Sequence, residues 1–380
     1  MAHIIKSLDI TQKLEVLSQD SQYDLACACA PGPEEHRKRS AQQKWVYPVT
    51  FASGRKTFLF KTLLSNVCRN NCRYCPLRKA QDKAQRLSLA PYEIAGTFLD
   101  YLRKRKVSGL FLSSGVSHGP DEVMQRINNT AAILRRSGFR GYIHLKIIPG
   151  ASQAAIKHSL SLASAVSLNI EVPGEEHFQA LAREKDYNQD IMQTISYISR
   201  LRMEQEPSKR PHQTTQFIVG AGAESDRQIV LQTGQLYQNY KLNRVYFSAY
   251  QRGAGEGDIP GERSSLTNAQ MLTREHRLYQ ADWLLRKYGF SAAEIPFEKD
   301  GNLSLEYDPK EAWAKRNPQF FPVNVNHADK PALLRVPGVG EVTANQILRL
   351  RQAGRKLRNM EELGRLGKRL KKAAPYLIFS

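Results

Sequence analysis

Six short apolar runs, separated by amphipathic stretches, constrain the fold of this 380-residue chain more than any other sequence feature. The runs are rich in β-branched and aromatic residues, and helical patterns follow them, as in Pro91 to Arg105 and Asp121 to Arg136. This alternation is typical of a parallel α/β sheet. The runs are TFLFKTLL (57–64), GLFLSS (109–114), YIHLKII (142–148), AVSLNIEV (165–172), TTQFIV (214–219) and RVYFSAY (244–250).

Six strand–helix units predict a partial (β/α)6 barrel of the TIM type, in the α/β class. In such folds the chemistry lies at the carboxyl ends of the strands. The length allows one large catalytic domain and a smaller module, at about 100–200 residues per domain. We predict an N-terminal appendage over 1–45, the barrel over 46–265, a helical connecting extension over 266–322 and an all-α C-terminal domain over 323–380.

Three cysteines, Cys68, Cys72 and Cys75, follow the first run in the segment CRNNCRYC. No histidine and no further cysteine lies within thirty residues of them. A structural zinc site has four ligands, whereas three thiolates suit a 4Fe-4S cluster with one iron left open for a ligand. The alternatives are three buried thiols, or half of a zinc knuckle that the distant Cys27 and Cys29 complete.

The cysteine spacing, with Tyr74 before the last cysteine, resembles the signature loop of radical S-adenosylmethionine (SAM) enzymes. The resemblance implies a 4Fe-4S cluster held by Cys68, Cys72 and Cys75, and SAM on the open iron. It also implies cleavage of SAM to a 5′-deoxyadenosyl radical by an electron from a reducing partner such as flavodoxin or ferredoxin. Tyr74 would pack beside the adenine.

The resemblance extends to two further groups of SAM-binding residues. Ser113, Ser114 and Gly115 stand where the family has a Gly-Gly-Glu type of motif, so here backbone carbonyls and hydroxyls would receive the amino group of SAM. Asn169 and Glu171 resemble the family's ribose-binding pair, and their alternation with apolar residues predicts that both face one side of a strand. The alternative is that they only cap the strand end.

Three other segments have residues typical of ligand sites. Gly220, in GAGAE, resembles the family's glycine-rich turn against the adenine, although an ordinary strand–helix turn has the same pattern. Lys146 ends the third run and suits a carboxylate or a phosphate, the alternative being a solvated rim. The segment RGAGEGD (252–258) lacks the Lys-Ser/Thr of a phosphate loop and predicts no nucleoside triphosphate site.

The segment NVNHADKPALLRVPGVGEVTANQILRLR resembles a helix-hairpin-helix, with a degenerate second copy over 363–372. N–H groups at a helix start, free of side chains at the glycines, can contact a phosphate closely. Residues 323–380 hold twelve Lys or Arg against four Asp or Glu, in a chain of net charge +20. The predicted DNA-binding residues are Pro337, Gly338, Val339, Gly340, Arg349, Arg351, Lys368 and Arg369.

Such a face predicts salt-sensitive, sequence-tolerant binding to the phosphate backbone. A preference for DNA over RNA is implied only by the resemblance, and a basic protein–protein hairpin is the alternative. The combination of segments resembles bacterial radical SAM proteins of DNA modification or repair. It implies an enzyme that acts on DNA. Two alternatives remain: a radical SAM enzyme that modifies RNA, and a non-catalytic Fe-S sensor that binds DNA.

Cysteine usage predicts the compartment. Five cysteines without regular spacing do not form a disulfide framework, and an Fe-S cluster needs reduced thiols, so we expect a cytoplasmic protein. The start MAHIIKSLDI lacks the basic and apolar regions of a signal peptide, and no run of about 18 apolar residues occurs. No membrane partner is expected.

Overall fold

The computed structural model describes residues 8–24, 45–50, 56–81, 85–363 and 367–380, except the side chains of Lys368 and Arg369. Of these residues, those up to Glu224 together with Gln235–Glu275 form one compact unit. Ser225–Gly234 and His276–Ser380 form the second. Cys27 and Cys29 lie outside the described residues.

The first unit is built on a seven-stranded sheet in which each strand pairs with its neighbour in the chain. The first pair is antiparallel and the remaining pairs are parallel. The predicted α/β partial barrel with six parallel strands is therefore confirmed. The strands are β1 Val46–Thr50, β2 Lys56–Leu63, β3 Gly109–Ser113, β4 Tyr142–Lys146, β5 Ala165–Ser167, β6 His212–Val219 and β7 Arg244–Ala249.

Strand β1 is the one strand of this sheet that the sequence did not predict. It contains Pro48, which has no N–H for a ladder and normally marks a break in a strand. In the structure β1 lies at the edge of the sheet, where one missing donor is tolerated. The opposite edge is β7.

Burial of the parallel strands explains their continuous apolar sequences. Every residue of β3 is buried, and so are the last five residues of β2. Strands covered on both faces do not alternate apolar and polar residues, because neither face meets water. The continuous apolar runs in the sequence therefore indicate strands that are buried on both faces.

Helices connect the parallel strands and pack against one another in chain order, α2 on α3, α3 on α4 and α4 on α6. Pro91 and Pro120 occupy the first helical positions of α2 and α3, where a missing N–H has no cost. The helices are α1 Ile10–Asp20, α2 Pro91–Arg103, α3 Pro120–Arg136, α4 Gln153–Leu162, α5 Glu175–Leu181, α6 Thr194–Met203, α7 Asp226–Tyr240, α8 Pro260–Arg263, α9 Asn268–Lys287, α10 Pro309–Arg316, α11 Lys330–Arg335, α12 Glu341–Gln352 and α13 Lys368–Lys371.

The N-terminal helix α1 packs against strand β2. A capping box begins it: the Asp9 carboxylate accepts from the Gln12 N–H, and the Gln12 side chain accepts from the Asp9 N–H. A 3₁₀ turn over Ser21–Tyr23 follows and delivers Asp24 to the barrel. The Gln216 amide holds this turn by donating to the Tyr23 carbonyl at 2.8 Å.

The second unit contains the predicted helix-hairpin-helix. Helix α11 ends at Arg335, a turn covers 336–340, and α12 begins at Glu341. Gly338 has φ +83°, a left-handed conformation that glycine adopts without strain. Two short parallel strands, β8 Val323–Asn324 and β9 Leu377–Ile378, pair with each other. The apolar core beneath these elements is Val323, Val325, Leu333, Leu334, Val336, Val339, Ala344, Ile347, Leu357, Leu363, Leu370, Ala373 and Leu377.

No helix in the described part of the chain combines the length and the apolar character that crossing a bilayer requires.

Candidate functional site

One cavity at the carboxyl ends of the barrel strands collects most of the predicted cofactor residues. Ser113 ends β3 and Lys146 ends β4, and both line it. Gly220 is the one predicted cofactor residue that does not. The predicted residues in the lining are Cys68, Cys72, Tyr74, Cys75, Ser113, Ser114, Gly115, Asn169 and Glu171.

The cysteine loop is held in shape by arginine–carbonyl contacts. Arg86 donates to four backbone carbonyls, those of Asn66, Leu77, Arg78 and Gln81, at 2.7–3.2 Å. A guanidinium carries five donors in a fixed planar fork, so one side chain can close a loop of this kind. Arg86 therefore ties together the backbone on both sides of the cysteines.

The acidic segment RGAGEGD over 252–258 clamps the same loop, a structural role that the sequence did not suggest. Arg73 forms ion pairs with Glu256 at 2.8 Å and with Asp258 at 2.5 Å. Arg78 donates to the Ala254 carbonyl at 2.9 Å. These contacts join the turn after β7 to the loop after β2.

All three cysteines of the loop are free thiols. Cys72 is buried, and Cys68 and Cys75 are half-buried. Burial, and after it the neighbouring Cys72, raises the pKa of the Cys75 thiol to about 12. Burial also raises the pKa of Cys72, against the effect of the Lys185 ammonium. A metal centre would deprotonate these thiols outright on binding them.

Lys185 is a site residue that sequence reasoning missed. Its ammonium lies in the cavity lining and hydrogen-bonds Cys72. Burial lowers the pKa of Lys185, but Cys72 and Glu171 outweigh burial, so its pKa is raised overall. The residue follows α5 in the charged segment AREKD, and a charged segment is normally a solvated loop. No sequence signal distinguished it.

Gly115 explains how the end of β3 approaches the cysteine loop. Its N–H donates to the Ser65 carbonyl at 2.7 Å, and a Cβ there would stand 2.5 Å from the Val67 carbonyl oxygen. Only glycine allows this approach. Ser114 turns its hydroxyl to the Gly115 carbonyl at 2.8 Å.

Asn169 and Glu171 line the cavity beyond the end of β5, not within a strand as predicted. The backbone ladder of β5 stops after Ser167, and beyond it the Thr215 hydroxyl replaces backbone partners. This hydroxyl donates to the Leu168 carbonyl at 2.7 Å and accepts from the Ile170 N–H at 2.9 Å. The chain then bends so that both polar residues still reach the cavity.

Glu171 is the strained residue of the site, with φ +67°. Left-handed backbone in a residue other than glycine persists only where its surroundings enforce it, and such residues concentrate at functional sites. Backbone bonds to Gln216 and Ile218 enforce it here. Its buried Oε2 has no hydrogen-bond partner, and burial raises the pKa of its carboxyl. Tyr74 hydrogen-bonds this carboxyl.

Lys146 pairs with a carboxylate, which is one of the two alternatives that the sequence left open. It does not lie at a solvated rim. Its ammonium is 2.6 Å from the Asp24 carboxylate, and only 9% of the residue is exposed. Burial raises the pKa of Asp24, but Lys146 and a hydrogen bond from Ser113 outweigh burial and hold it below its usual range. The N-terminal segment thus supplies one wall of the cavity.

Gly220 forms a structural turn. Its φ is +80°, and its N–H donates to the Glu224 carboxylate at 2.5 Å. The space in front of its Cα is filled by Met271 and Arg274.

The lining is chemically suited to a cluster with an open iron. Three free thiols from one loop supply soft ligands, and the orphaned Glu171 oxygen and the ends of β3 and β5 supply polar groups for a bound small molecule. Within the described residues, no group of three or more His, Cys, Asp or Glu is placed to hold a metal ion.

The hairpin in the second unit presents backbone and not side chains. The side chains of Pro337 and Val339 are buried, whereas Gly338 and Gly340 are partly exposed. Gly340 is the N-cap of α12. Arg349 is exposed. Arg351 instead donates to the Ala328 carbonyl and so ties α12 to the segment before α11. The predicted contacts of the Lys368 and Arg369 side chains lie outside the described residues.

Comparison with known proteins identifies the C-terminal module. Residues 319–376 match the family model described as a helix-hairpin-helix motif. No curated protein matches the chain.

Solved structures similar to the chain include the FeFe-hydrogenase maturase HydG from Carboxydothermus hydrogenoformans, at 13% identity and TM-score 0.47, over 59% of this chain and 51% of that one. A second HydG structure is 15% identical, with TM-score 0.43, over 57% and 48%. Methylornithine synthase (PylB) is 15% identical, with TM-score 0.45, over 60% and 63%. The matches thus span about half to three fifths of the length of these structures.

Proposed function

We propose that this protein is a radical SAM enzyme that modifies or repairs DNA. The observation that carries the proposal is the shared cavity: three free thiols and the polar ends of β3 and β5 line it together. Cys68, Cys72 and Cys75 would hold a 4Fe-4S cluster. When bound, the cluster and SAM supply a hydrogen-abstracting 5′-deoxyadenosyl radical.

The chain's own residues orient the cofactor and exclude water. Ser113, Ser114 and Gly115 at the end of β3 would receive the amino end of SAM, and Asn169 with Glu171 its ribose. Glu171 supports the second assignment, because its backbone is strained and a bound hydroxyl would satisfy its buried Oε2, which has no hydrogen-bond partner. Lys185 and the Lys146–Asp24 pair complete the polar lining.

DNA is proposed as the substrate because of the matched hairpin and the surplus of basic residues around it. Hairpin N–H groups and Arg349 would contact phosphates without reading bases. A target nucleotide in a duplex would have to leave its stack to reach a cavity, which costs least at a damaged or unpaired base. We expect an electron donor such as flavodoxin or ferredoxin.

The test is anaerobic reconstitution of the cluster, reduction with dithionite, and measurement of 5′-deoxyadenosine after SAM is added with and without DNA. We expect product from the wild type, none from Cys72→Ala, and a rise with duplex DNA. Deuterium in the product from labelled DNA would identify the substrate.

Two results would redirect the proposal. A rise with structured RNA and not with DNA would move the substrate class to RNA. An intact, reduced cluster that yields no 5′-deoxyadenosine would leave a DNA-bound Fe-S sensor.

A further inference from the structure

Lys310 is a buried lysine in the second unit, and nothing in the sequence set it apart. Only 8% of the residue is exposed. It lies in the first turn of α10, and its ammonium donates to the Val339 carbonyl and lies 4.6 Å from the centre of the Tyr288 ring. Lysine is almost never buried to this extent without a partner, so the contact with Val339 accounts for its position.

The bonded carbonyl belongs to the hairpin itself. A peptide group is planar and trans, so the Val339 carbonyl and the Gly340 N–H point in opposite directions. A carbonyl drawn inward toward Lys310 therefore turns the Gly340 N–H outward. Gly340 is the N-cap of α12, where the helix dipole favours an anion. The Tyr288 hydroxyl also packs against the turn: a Cβ added at Gly340 would stand 3.2 Å from it.

We propose that Lys310 is a positioning residue of the hairpin: it fixes the Val339–Gly340 peptide so that the Gly340 N–H faces a DNA phosphate, and it places a positive charge behind that N–H. The proposal rests on the DNA binding proposed above, which it deepens. Lys310 itself would not touch DNA.

The charge on Lys310 is sensitive to pH in the physiological range. Burial lowers its pKa to about 7, and the nearby Asp308 carboxylate opposes this effect. In the described residues, Lys310 is faced by Asp308, the N-cap of α10, and by the Tyr288 ring. The hairpin contributes the Val339 carbonyl. A charged donor forms a hydrogen bond about twice as strong as a neutral one. The hairpin should thus be held tightly below pH 7 and less tightly above it.

The first experiment measures the hairpin without DNA. Labelling valine carbonyls with ¹³C and glycine amides with ¹⁵N yields two connected pairs in this sequence, Val339–Gly340 and Val219–Gly220. We expect the Val339–Gly340 NMR signal to shift with pH with a midpoint near 7, and to lose this titration in Lys310→Met. Val219–Gly220 is the second signal: its N–H donates to the Glu224 carboxylate, so any pH shift of its own should be the same in the wild type and in Lys310→Met. A Val339–Gly340 signal whose position and pH dependence are both unchanged in Lys310→Met overturns the proposal.

The second experiment measures binding of the full-length protein to a DNA duplex by fluorescence anisotropy at several salt concentrations. At pH 6 we expect Lys310→Met to lower affinity about fivefold, with Lys310→Arg retaining most of it. The slope of log affinity against log salt should not change, because no phosphate contact is lost. Arg349→Ala should reduce that slope by about 0.9.

Two outcomes contradict the positioning role in this second experiment. Wild-type affinity in Lys310→Met at pH 6 shows that the lysine does not matter for binding. A slope reduced as in Arg349→Ala makes Lys310 a direct phosphate contact. If the wild type does not bind DNA at all, the proposed substrate class fails, and the NMR titration still decides whether Lys310 positions the hairpin.

Discussion

At the scale of single residues, Gly115 is the position where the site tolerates least change. An alanine Cβ would stand 2.5 Å from the Val67 carbonyl oxygen, one residue before Cys68, so the backbone must move. We expect Gly115→Ala to destabilise the protein by about 1–3 kcal/mol and to reduce the iron bound after reconstitution. Urea unfolding and iron analysis measure the two effects.

Gly119→Ala is the matched control for this prediction. A Cβ at Gly119 meets nothing within 4 Å, and its φ of −88° suits any residue. It should leave stability and iron content unchanged. If both substitutions behave alike, close approach at Gly115 does not hold the cysteine loop in place.

At the scale of elements, the cysteine loop depends on Arg86. Lysine keeps the charge but cannot reach four carbonyls with one ammonium, so Arg86→Lys should loosen the loop. We expect at most half of the wild-type iron after reconstitution, with helix content unchanged by circular dichroism. Arg103→Lys, at an exposed position of α2, should load normally. Equal loading of the two variants would show that the loop does not need its arginine.

The same elements show what the sequence could predict. The parallel strands were predictable because most of their residues are buried; β3, for example, is buried throughout and reads as a continuous apolar run. Strand β1 was not, since Pro48 interrupts its pattern, and neither was the early end of β5, which depends on a hydroxyl from Thr215 on another strand. Lys185 and the Asp24–Lys146 pair come together only through tertiary folding. The residue pattern around each of these positions does not predict contacts with residues far away in the chain.

At the scale of the whole molecule, cofactor chemistry and DNA binding are assigned to residues of different units. Arg349 is exposed on α12 in the second unit, and the cavity lies wholly within the first. We expect Arg349→Ala to weaken duplex binding about threefold to tenfold at low salt, because one phosphate contact is lost. Formation of 5′-deoxyadenosine without DNA should stay at the wild-type rate.

Lys104→Ala, which removes an exposed charge from the first unit, controls for net charge in both assays. Equal loss of DNA affinity in the two variants would mean that the overall charge of +20 binds DNA without a defined face. A fall of DNA-independent product in Arg349→Ala would mean that the two activities are not separable.

The clamp on the cysteine loop also sets an order of events during synthesis. Arg73 and Glu256 are 183 residues apart in the chain, and Arg78 and Ala254 are 176 apart. At the usual pace of translation, roughly 10 to 40 s pass between the emergence of the thiols and that of their acidic partner loop. The nascent protein therefore carries three thiols in an unclamped loop, and stable insertion of the proposed cluster would have to wait until residues 252–258 have been made.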